Sequence, residues 1–198
     1  AGYVRPEACV DVQLALARER GAAVHTGERL LDWREDAHGL RIDTDRGTYR
    51  PGNAVIAAGA WLPGLLGASA PPLRVTRQVL HWFQPETAAD YADARFPIFI
   101  WNWGRGAGEV FYGFPDLGGG VKVATETDTP CDPDRAERNV PESESAAMHA
   151  RHVAGRLRGV SAQRVRAATC LYTEAPGARF RIDRIGARGP IIASACSG

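Results

Sequence analysis

Lys122 is the most unusual of the residues in this sequence that could do chemistry. The chain has 24 basic residues, and all of them except Lys122 are arginines. The lysine lies within the stretch GGGVKVATET, residues 118–127. Its ammonium is a compact positive charge that can stabilise a small anion as it forms, whereas a guanidinium is a wide planar group. From composition alone, however, a lysine on a half-exposed strand is most often an ordinary surface residue.

The valines on both sides of Lys122 predict a β-strand with two different faces. Side chains alternate along a strand, so Lys122, Ala124 and Glu126 share one face, and Val121 and Val123 lie on the other. We expect the valine face to be core and the lysine face to look at a cavity, a second layer or solvent. In a regular strand Lys122 and Glu126 are roughly 13 Å apart, which is too far for a direct ion pair.

Two further stretches have residue types that suit a binding site. In AVIAAGAW, the small residues around Ala58 and Gly59 let the backbone approach another group closely. Tight packing between a strand and a helix explains the same pattern equally well. Nearer the C-terminal end, Cys170 and Tyr172 are two residues apart and therefore share a strand face. Core packing is the usual role of such a cysteine, and spacing alone assigns it no catalytic histidine.

Composition and motifs exclude several functional classes. The sequence has no GxSxG, Walker or GxGxxG motif, no CxxC pair and no histidine at a spacing typical of zinc ligands, so we predict no metal site. The net charge is +1, so no overall field favours nucleic acid or an anionic membrane. The densest basic run is predicted to be a solvated surface: Arg156, Arg158, Arg164 and Arg166. Because no apolar run is long enough for a bilayer and no signal peptide opens the chain, we predict a cytoplasmic protein.

The hydrophobic pattern predicts α/β structure first, then an antiparallel sheet, then helices, then strands again. Before residue 72 the predicted elements are a helix over 6–20, a short strand over 23–26, a hairpin over 29–45, and a buried strand, tight turn and helix over 53–67. After Pro71 and Pro72, four strand-like runs rich in aromatic residues predict an antiparallel sheet. The remaining predicted elements are helices over 131–139 and 142–157 and strands over 165–175 and 190–198. This order is consistent with two interleaved domains.

Taken in order, these stretches resemble the FAD-dependent amine oxidases of the D-amino-acid oxidase superfamily, and in particular the members that oxidise N-methyl amino acids. The resemblance runs along essentially the whole chain, through AVIAAGAWLPGLL, RQVLHWF, FYGFPDLGGGVKVATET and CLYTEAPGARFRID. It implies an α/β plus α+β fold, in which a partial FAD-binding, Rossmann-like domain is interleaved with an antiparallel-sheet substrate domain. Residues 1–72 and 166–198 correspond to the FAD-binding domain, and residues 73–165 to the substrate domain. Because the family's N-terminal GxGxxG segment and its C-terminal segment are missing, we expect an internal fragment that is inactive alone.

The resemblance also implies roles for individual residues around a flavin. Lys122 matches a lysine that lies near the flavin ring and activates oxygen. Tyr112 and Tyr172 match tyrosines that line the substrate pocket. Glu126 stands where members of the family that oxidise sarcosine have a histidine thought to touch the substrate. A carboxylate there attracts a cationic amine and repels a carboxylate, which disfavours sarcosine itself.

The cofactor implied by the resemblance is FAD, possibly bound covalently. Cys170 matches the cysteine that forms a thioether to the flavin ring in the covalent members. The resemblance implies further cofactor contacts at Leu30, Ala58, Gly59, Trp61 and Gly198.

The implied reaction is the oxidation of a secondary amine to an imine, with O₂ reduced to hydrogen peroxide. The small-molecule amine and O₂ are therefore the expected partners, and the oligomeric state is left open. Two alternatives also fit the sequence. One is a non-catalytic remnant that binds no flavin, and the other is a flavin dehydrogenase that passes its electrons to a partner.

Overall fold

The first element of the chain is helix α1, Pro6–Glu19, in a computed structural model that describes residues 2–106 and 108–194. Proline suits the first turn of a helix, where its missing N–H costs no hydrogen bond, and Gly21 at φ +89° follows the helix end. The sequence prediction of this helix is confirmed. None of its residues is buried. The short strand predicted over 23–26 is wrong, because that segment pairs with no other strand of the described chain.

A three-stranded antiparallel sheet follows, in the order β1-β2-β3. Its strands are β1 (Leu30–Asp36), β2 (Gly39–Thr44) and β3 (Thr48–Tyr49). The predicted hairpin is confirmed, and its turn joins Asp36 to Gly39, which has φ +108°. The guanidinium of Arg50 makes two hydrogen bonds to the Asp36 carboxylate, at 3.0 and 3.1 Å, and so ties the end of the hairpin to the next segment.

A second three-stranded sheet combines segments that are far apart in the sequence. Its order is β10-β11-β4, and its strands are β4 (Val55–Ile56), β10 (Arg181–Arg184) and β11 (Ile191–Ser194). Strand β11 runs parallel to β4 and antiparallel to β10. After β4 the chain makes a turn over Gly59–Trp61 and then the short helix α2, Leu62–Leu66, as predicted. A buried apolar cluster holds these elements together: Ile56, Leu62, Leu66 and Ile192.

The largest sheet has five antiparallel strands in the order β6-β7-β8-β5-β9. Its strands are β5 (Arg74–Pro85), β6 (Phe99–Asn102), β7 (Val110–Phe114), β8 (Val121–Ala124) and β9 (Val160–Glu174). The predicted antiparallel sheet with its aromatic residues is therefore confirmed. The sheet also includes the whole of β9, which begins five residues earlier than the sequence pattern indicated.

One face of this sheet is closed by a helix and forms the main core. Helix α3, Glu142–Met148, continues into a wider turn over His149–Val153. Phe83, Phe111, Val121 and Val123 are fully buried on the sheet, and they belong to one cluster with Met148, Val153, Leu157 and Val160. In the part of the chain that the structure describes, no helix is long and apolar enough to cross a membrane.

The helix predicted over 131–139 is wrong. The Asp132 carboxylate instead accepts a hydrogen bond from the backbone N–H of Asp134, which closes a side-chain turn. The carbonyls of Glu137 and Asn139 accept hydrogen bonds from the Arg77 guanidinium, so they are not engaged in a helix. Local turn chemistry and a partner on β5 therefore override the helical pattern.

A glycine-rich turn joins β7 to β8 and fixes where Lys122 lies. One oxygen of the Asp116 carboxylate accepts hydrogen bonds from the backbone N–H groups of Gly118, Gly119 and Gly120, at 2.8, 2.9 and 3.0 Å. Gly120 has φ +89°, and a Cβ there would lie 2.7 Å from the carbonyl oxygen of Phe83. Glycine is required at this position by both backbone conformation and space.

The three sheets and the helices give the mixed α/β and antiparallel architecture that the sequence predicted. The chain forms β4, leaves to build the five-stranded sheet, and returns through β10 and β11 to pair with β4. The domain limits at residues 72 and 165 stay predictions. Two of the four arginines predicted to be a solvated surface stack on indole rings: Arg156 on Trp103, at 4.0 Å, and Arg166 on Trp82, at 3.9 Å.

Candidate active site

The face of the five-stranded sheet that α3 does not cover, which we call the open face, brings together most of the predicted catalytic residues. Residues paired across neighbouring antiparallel strands share a face. Tyr112 is paired with Ala124, and Lys122 with both Phe114 and Trp82. On β9, Cys170 and Tyr172 pair with residues of β5 that are on the same side as Trp82. The register therefore places Tyr112, Lys122, Cys170 and Tyr172 on the face opposite the buried valines.

Lys122 is half-buried, and two aromatic rings hold its side chain. Its Nζ lies 4.7 Å from the ring centroid of Phe114 and 5.4 Å from that of Trp82, both within cation–π range. Among residues 2–106 and 108–194, no acceptor forms a hydrogen bond or an ion pair with this ammonium. Burial lowers the pKa of Lys122, while the nearby charges of Cys170 and Glu7 act in the opposite direction. The site therefore holds a positive charge with unused N–H donors.

Tyr112 and Tyr172 form a hydrogen-bonded pair on this face. Burial raises the pKa of the Tyr112 hydroxyl well above its usual range, and the hydrogen bond with Tyr172 raises the pKa further. Tyr112 therefore stays neutral at any physiological pH and can act as a hydrogen-bonding group, but it cannot supply a phenolate. The negative charges of Cys170 and Glu126 add to the rise.

Glu126 is exposed and lies beyond the end of β8, which stops at Ala124. The regular alternation assumed from the sequence therefore does not extend to it. Two side-chain hydrogen bonds hold the chain beyond the strand: the Thr125 hydroxyl donates to the carbonyl of Val110, and the Thr127 hydroxyl donates to that of Arg77. The carboxylate remains near enough to Tyr112 to affect its pKa, so it lies at the rim of the same face.

Cys170 is half-buried on β9, and it lies near two other members of the site. It pairs with Gln78 across β5, and its charge influences the pKa of both Lys122 and Tyr112. The Cys170 thiol lies on the same sheet face as the Lys122 ammonium and the tyrosine pair. The chemistry of the set is one nucleophilic sulfur, one fixed cation and two hydroxyl groups on a sheet with aromatic residues.

Trp82 and Arg166 belong to this face and were not predicted from the sequence. The Arg166 guanidinium carbon lies 3.9 Å from the Trp82 ring centroid, so one indole has a cation from each neighbouring strand. The signal that could have found Trp82 is its even spacing from Gln78 and Leu80 on β5. The link to Arg166 needed the register between strands more than 80 residues apart in sequence.

The predicted cofactor residues at the second sheet lie where β4 ends. Gly59 has φ +52°, and a Cβ built on it meets no atom within 4 Å, so this turn faces open space. The turn Gly59–Trp61 also contacts β9, the strand that carries Cys170. Trp61 is exposed, and its indole N–H donates to the Asp134 carboxylate at 2.9 Å.

The structure does not test the other two predicted cofactor contacts, at Leu30 and Gly198. The side chain of Leu30 packs against the cluster around Ile56, which does not test its predicted cofactor contact. Gly198 lies outside the residues that the structure describes. Both assignments stay predictions.

A buried hydroxyl at the end of β11 tests whether the residues fit a dinucleotide cofactor. Ser194 is 8% exposed, and its Oγ has no hydrogen-bond partner in the described part of the chain. It lies at the carboxyl end of β11, the neighbour of β4 in a parallel pair, where open α/β sheets bind ligands. An unpartnered hydroxyl, a small-residue turn facing open space and an unpaired ammonium fit a large cofactor with many acceptors, such as FAD.

Two open depressions lie away from this face. One, of about 820 Å³, is lined mainly by residues 175–183, and the other, of about 600 Å³, lies beside β6. Neither contains a predicted site residue. Within the described ranges, no group of three or more His, Cys, Asp or Glu side chains could hold a metal ion.

Comparison with known proteins connects the chain to a family of FAD dependent oxidoreductases. Residues 1–198 match the family model described as DAO, FAD dependent oxidoreductase. Monomeric sarcosine oxidase of Streptomyces avermitilis is 36% identical over 201 residues, which cover 99% of this chain and 52% of that protein. N-methyl-L-tryptophan oxidase of Salmonella dublin is 26% identical over 204 residues, which cover 100% of this chain and 52% of that protein. The chain spans about half the length of these relatives.

A solved structure shows the same fold. NikD, an unusual amino acid oxidase essential for nikkomycin biosynthesis, superimposes with a TM-score of 0.75 at 24% identity. The match covers 95% of this chain and 50% of that one. The predicted fold class is confirmed by this likeness together with the family match.

Proposed function

The chain belongs to the DAO family of FAD dependent oxidoreductases, and we propose that it supplies the substrate-facing half of a flavin-dependent amine oxidase. The observation that carries the proposal is the half-buried ammonium of Lys122. It is held by aromatic rings rather than by a carboxylate, on the face that also presents Cys170, Tyr112 and Tyr172. A charge that is not neutralised by the protein is available to a reacting group.

Bound FAD would supply the redox chemistry of this proposal, the two-electron oxidation of the amine to an imine with reduction of O₂ to hydrogen peroxide. Reduction of O₂ begins with the formation of an anion, superoxide, in a partly apolar place. Lys122 stabilises that anion through its fixed positive charge, and its free N–H groups can donate hydrogen bonds to it. Two features of the site support this role: the half-burial of Lys122 and the absence of a competing carboxylate within ion-pair distance among the described residues.

The other residues of the face bind and orient the amine. Tyr112 is neutral, so it offers the substrate a hydrogen-bonding hydroxyl without a repelling or attracting charge. Phe114, two residues along the same strand and on the same face, supplies apolar surface beside it. The proposal gives Cys170 a thioether link to the flavin ring, and flavin that stays with the protein after denaturation would support that link.

We propose a secondary amine as the substrate, because the two relatives are named as oxidases of sarcosine and of N-methyl-L-tryptophan. Glu126 at the rim of the face adds a preference within this class. An exposed carboxylate attracts a cationic amine and repels a substrate carboxylate. The preferred substrate is therefore an N-methyl or similar secondary amine other than sarcosine, and the protein that oxidises it is cytoplasmic.

Substitution of Lys122 in the flavin-loaded protein tests the proposal. We expect Lys122→Met to slow the reoxidation of reduced flavin by O₂ by about 100-fold or more, since a preorganised charge is lost. The reduction of flavin by the amine should change much less. Stopped-flow absorbance measures the two half-reactions separately. The matched control is Lys122→Arg, which keeps the charge but not the compact ammonium, and an equal slowing of both half-reactions would contradict the role of Lys122.

Release of peroxide would separate an oxidase from a dehydrogenase that passes electrons to a partner.

A further inference from the structure

One indole on the open face lies between two cations. Lys122 on β8, Trp82 on β5 and Arg166 on β9 are paired in one row across three adjacent strands. Lys122 Nζ is 5.4 Å and the Arg166 guanidinium carbon is 3.9 Å from the Trp82 ring centroid. Because β5 is the middle strand of the three, the ring stands between the two positive charges.

Two like charges in one cross-strand row of a sheet normally repel each other or recruit a carboxylate. Here no ion pair of the described residues includes Lys122, and the same is true of Arg166. The negative face of the indole compensates both cations in part, and its bulk keeps them apart. Phe114 offers Lys122 a second ring at 4.7 Å, so the aliphatic stem has little freedom to turn away.

We propose that Trp82, covered by Arg166, is the positioning residue that holds the Lys122 ammonium over the open face. Trp82 fixes where the ammonium lies, and Arg166 fixes the plane of the ring by stacking on its other side. The positive field of Arg166 also discourages any movement of Lys122 toward β9. Trp82 acts through Lys122 and not on the substrate, so it is not a catalytic residue.

The charged and titratable groups around Lys122 determine how Arg166 affects the pKa of the lysine. Glu7 of α1 and Cys170 of β9 favour the charged form of the lysine, whereas Arg166 and burial disfavour it. Tyr112 of β7 stays neutral, because burial raises its pKa. Removal of Arg166 should therefore raise the pKa of Lys122, and added salt should reduce the difference because Arg166 is exposed.

The single lysine of the chain allows a direct test without any cofactor. Reductive methylation with ¹³C-formaldehyde converts Lys122 to dimethyllysine, which keeps its charge. Its methyl resonance is then read by NMR, and Lys122→Arg identifies it against the N-terminal amine. Methyl protons above an aromatic face are shielded, so we expect the wild-type resonance to lie upfield of free dimethyllysine. Trp82→Leu should move it toward the free value, whereas Trp82→Phe should keep most of the upfield shift.

Two further variants make the result decisive. Trp101→Leu removes an indole from the edge strand β6 of the same sheet and should leave the resonance unchanged. Arg166→Gln, at an exposed position, should raise the titration midpoint of the dimethyllysine at low salt. A free-like wild-type resonance, an unchanged resonance in Trp82→Leu, or an unchanged midpoint in Arg166→Gln would each overturn the inference. If circular dichroism shows that Trp82→Leu is unfolded, Trp82→Phe and Arg166→Gln still decide the question.

The inference rests on the proposed function only for the role of the ammonium in oxygen chemistry. The placement of the ammonium by Trp82 does not depend on that role. Normal flavin reoxidation in Lys122→Met, together with the expected NMR shifts, would contradict the proposed function and still support the positioning of Lys122 by Trp82. Slow reoxidation in Lys122→Met, with no response of the resonance to Trp82, would end the positioning alone.

Discussion

The two faces of the five-stranded sheet are made by the same strands and have opposite properties. On one face Phe83, Phe111, Val121 and Val123 are sealed beneath α3 and the turn that follows it. On the other face Trp82, Tyr112 and Lys122 are half-buried and are aromatic or charged. One face thus supplies the free energy of folding, and the other can hold charged and reactive groups that a packed core would exclude. Substitutions of adjacent residues should therefore have very different consequences.

Phe111 and Tyr112 provide the largest expected contrast. Phe111 is fully buried and packs on Phe99, Trp101 and His152. We expect Phe111→Ala to lower the free energy of unfolding by about 3–5 kcal/mol, because it leaves a cavity in the core. Tyr112→Phe, one residue along the same strand, should cost about 1 kcal/mol or less, since it removes one hydrogen bond to Tyr172. Urea denaturation measures both, and similar losses would show that the two faces do not differ in their contribution to folding.

Buried histidines on the closed face give a second contrast, this time in pH dependence. His81 is 3% exposed, and its Nδ1 is hydrogen-bonded to Ser145 Oγ at 3.0 Å. Burial lowers the pKa of His81 from 6.5 to about 4. The imidazole of His81 therefore binds a proton at a higher pH in the unfolded chain than in the folded chain. Above about pH 6.5 it is neutral in both states, so it does not lower the free energy of unfolding there.

Between about pH 6.5 and pH 4 this histidine should cost stability progressively, on the order of 3 kcal/mol in total. Below about pH 4 both states are protonated, and its contribution stops changing. The measurement is the midpoint of urea unfolding as a function of pH. His81→Asn should flatten the slope in this window, and His38→Asn, at the exposed hairpin turn, should not. An unaltered slope in His81→Asn would mean that another group causes the acid sensitivity.

The sequence predicted most of this sheet because its signals are local. Alternation around Val121 and Val123 correctly separated a core face from a lysine face, and the apolar run before Gly59 correctly predicted a strand, a turn and a short helix. Alternation failed at Glu126, because a strand's end depends on the neighbouring strands and on hydrogen bonds such as that of Thr125 to Val110. The stacking of Arg166 on Trp82 could not be predicted, since it depends on the register of strands far apart in the chain. The helix predicted over 131–139 failed because one aspartate side chain closes a turn there.

The glycine turn before β8 decides which residues of that strand belong to which face. Gly120 combines φ +89° with a Cβ position only 2.7 Å from the Phe83 carbonyl, a backbone atom that cannot easily move. We expect Gly120→Ala to lower the free energy of unfolding by about 1–3 kcal/mol. Gly119→Ala is the matched control, because a Cβ there meets no atom within 4 Å, and it should change stability by less than about 1 kcal/mol.

The turn variants also test the link between stability and the site. A strand that slips by one residue exchanges its two faces, so Lys122 would enter the core and Val121 or Val123 would leave it. Burying an unpaired ammonium is far more costly than straining one turn. Gly120→Ala should therefore lose stability while keeping the register, and the shielded resonance of dimethylated Lys122 should persist in the folded fraction. Loss of that resonance at full folding would show that Gly120, and not the contrast between the two faces, holds the lysine in place.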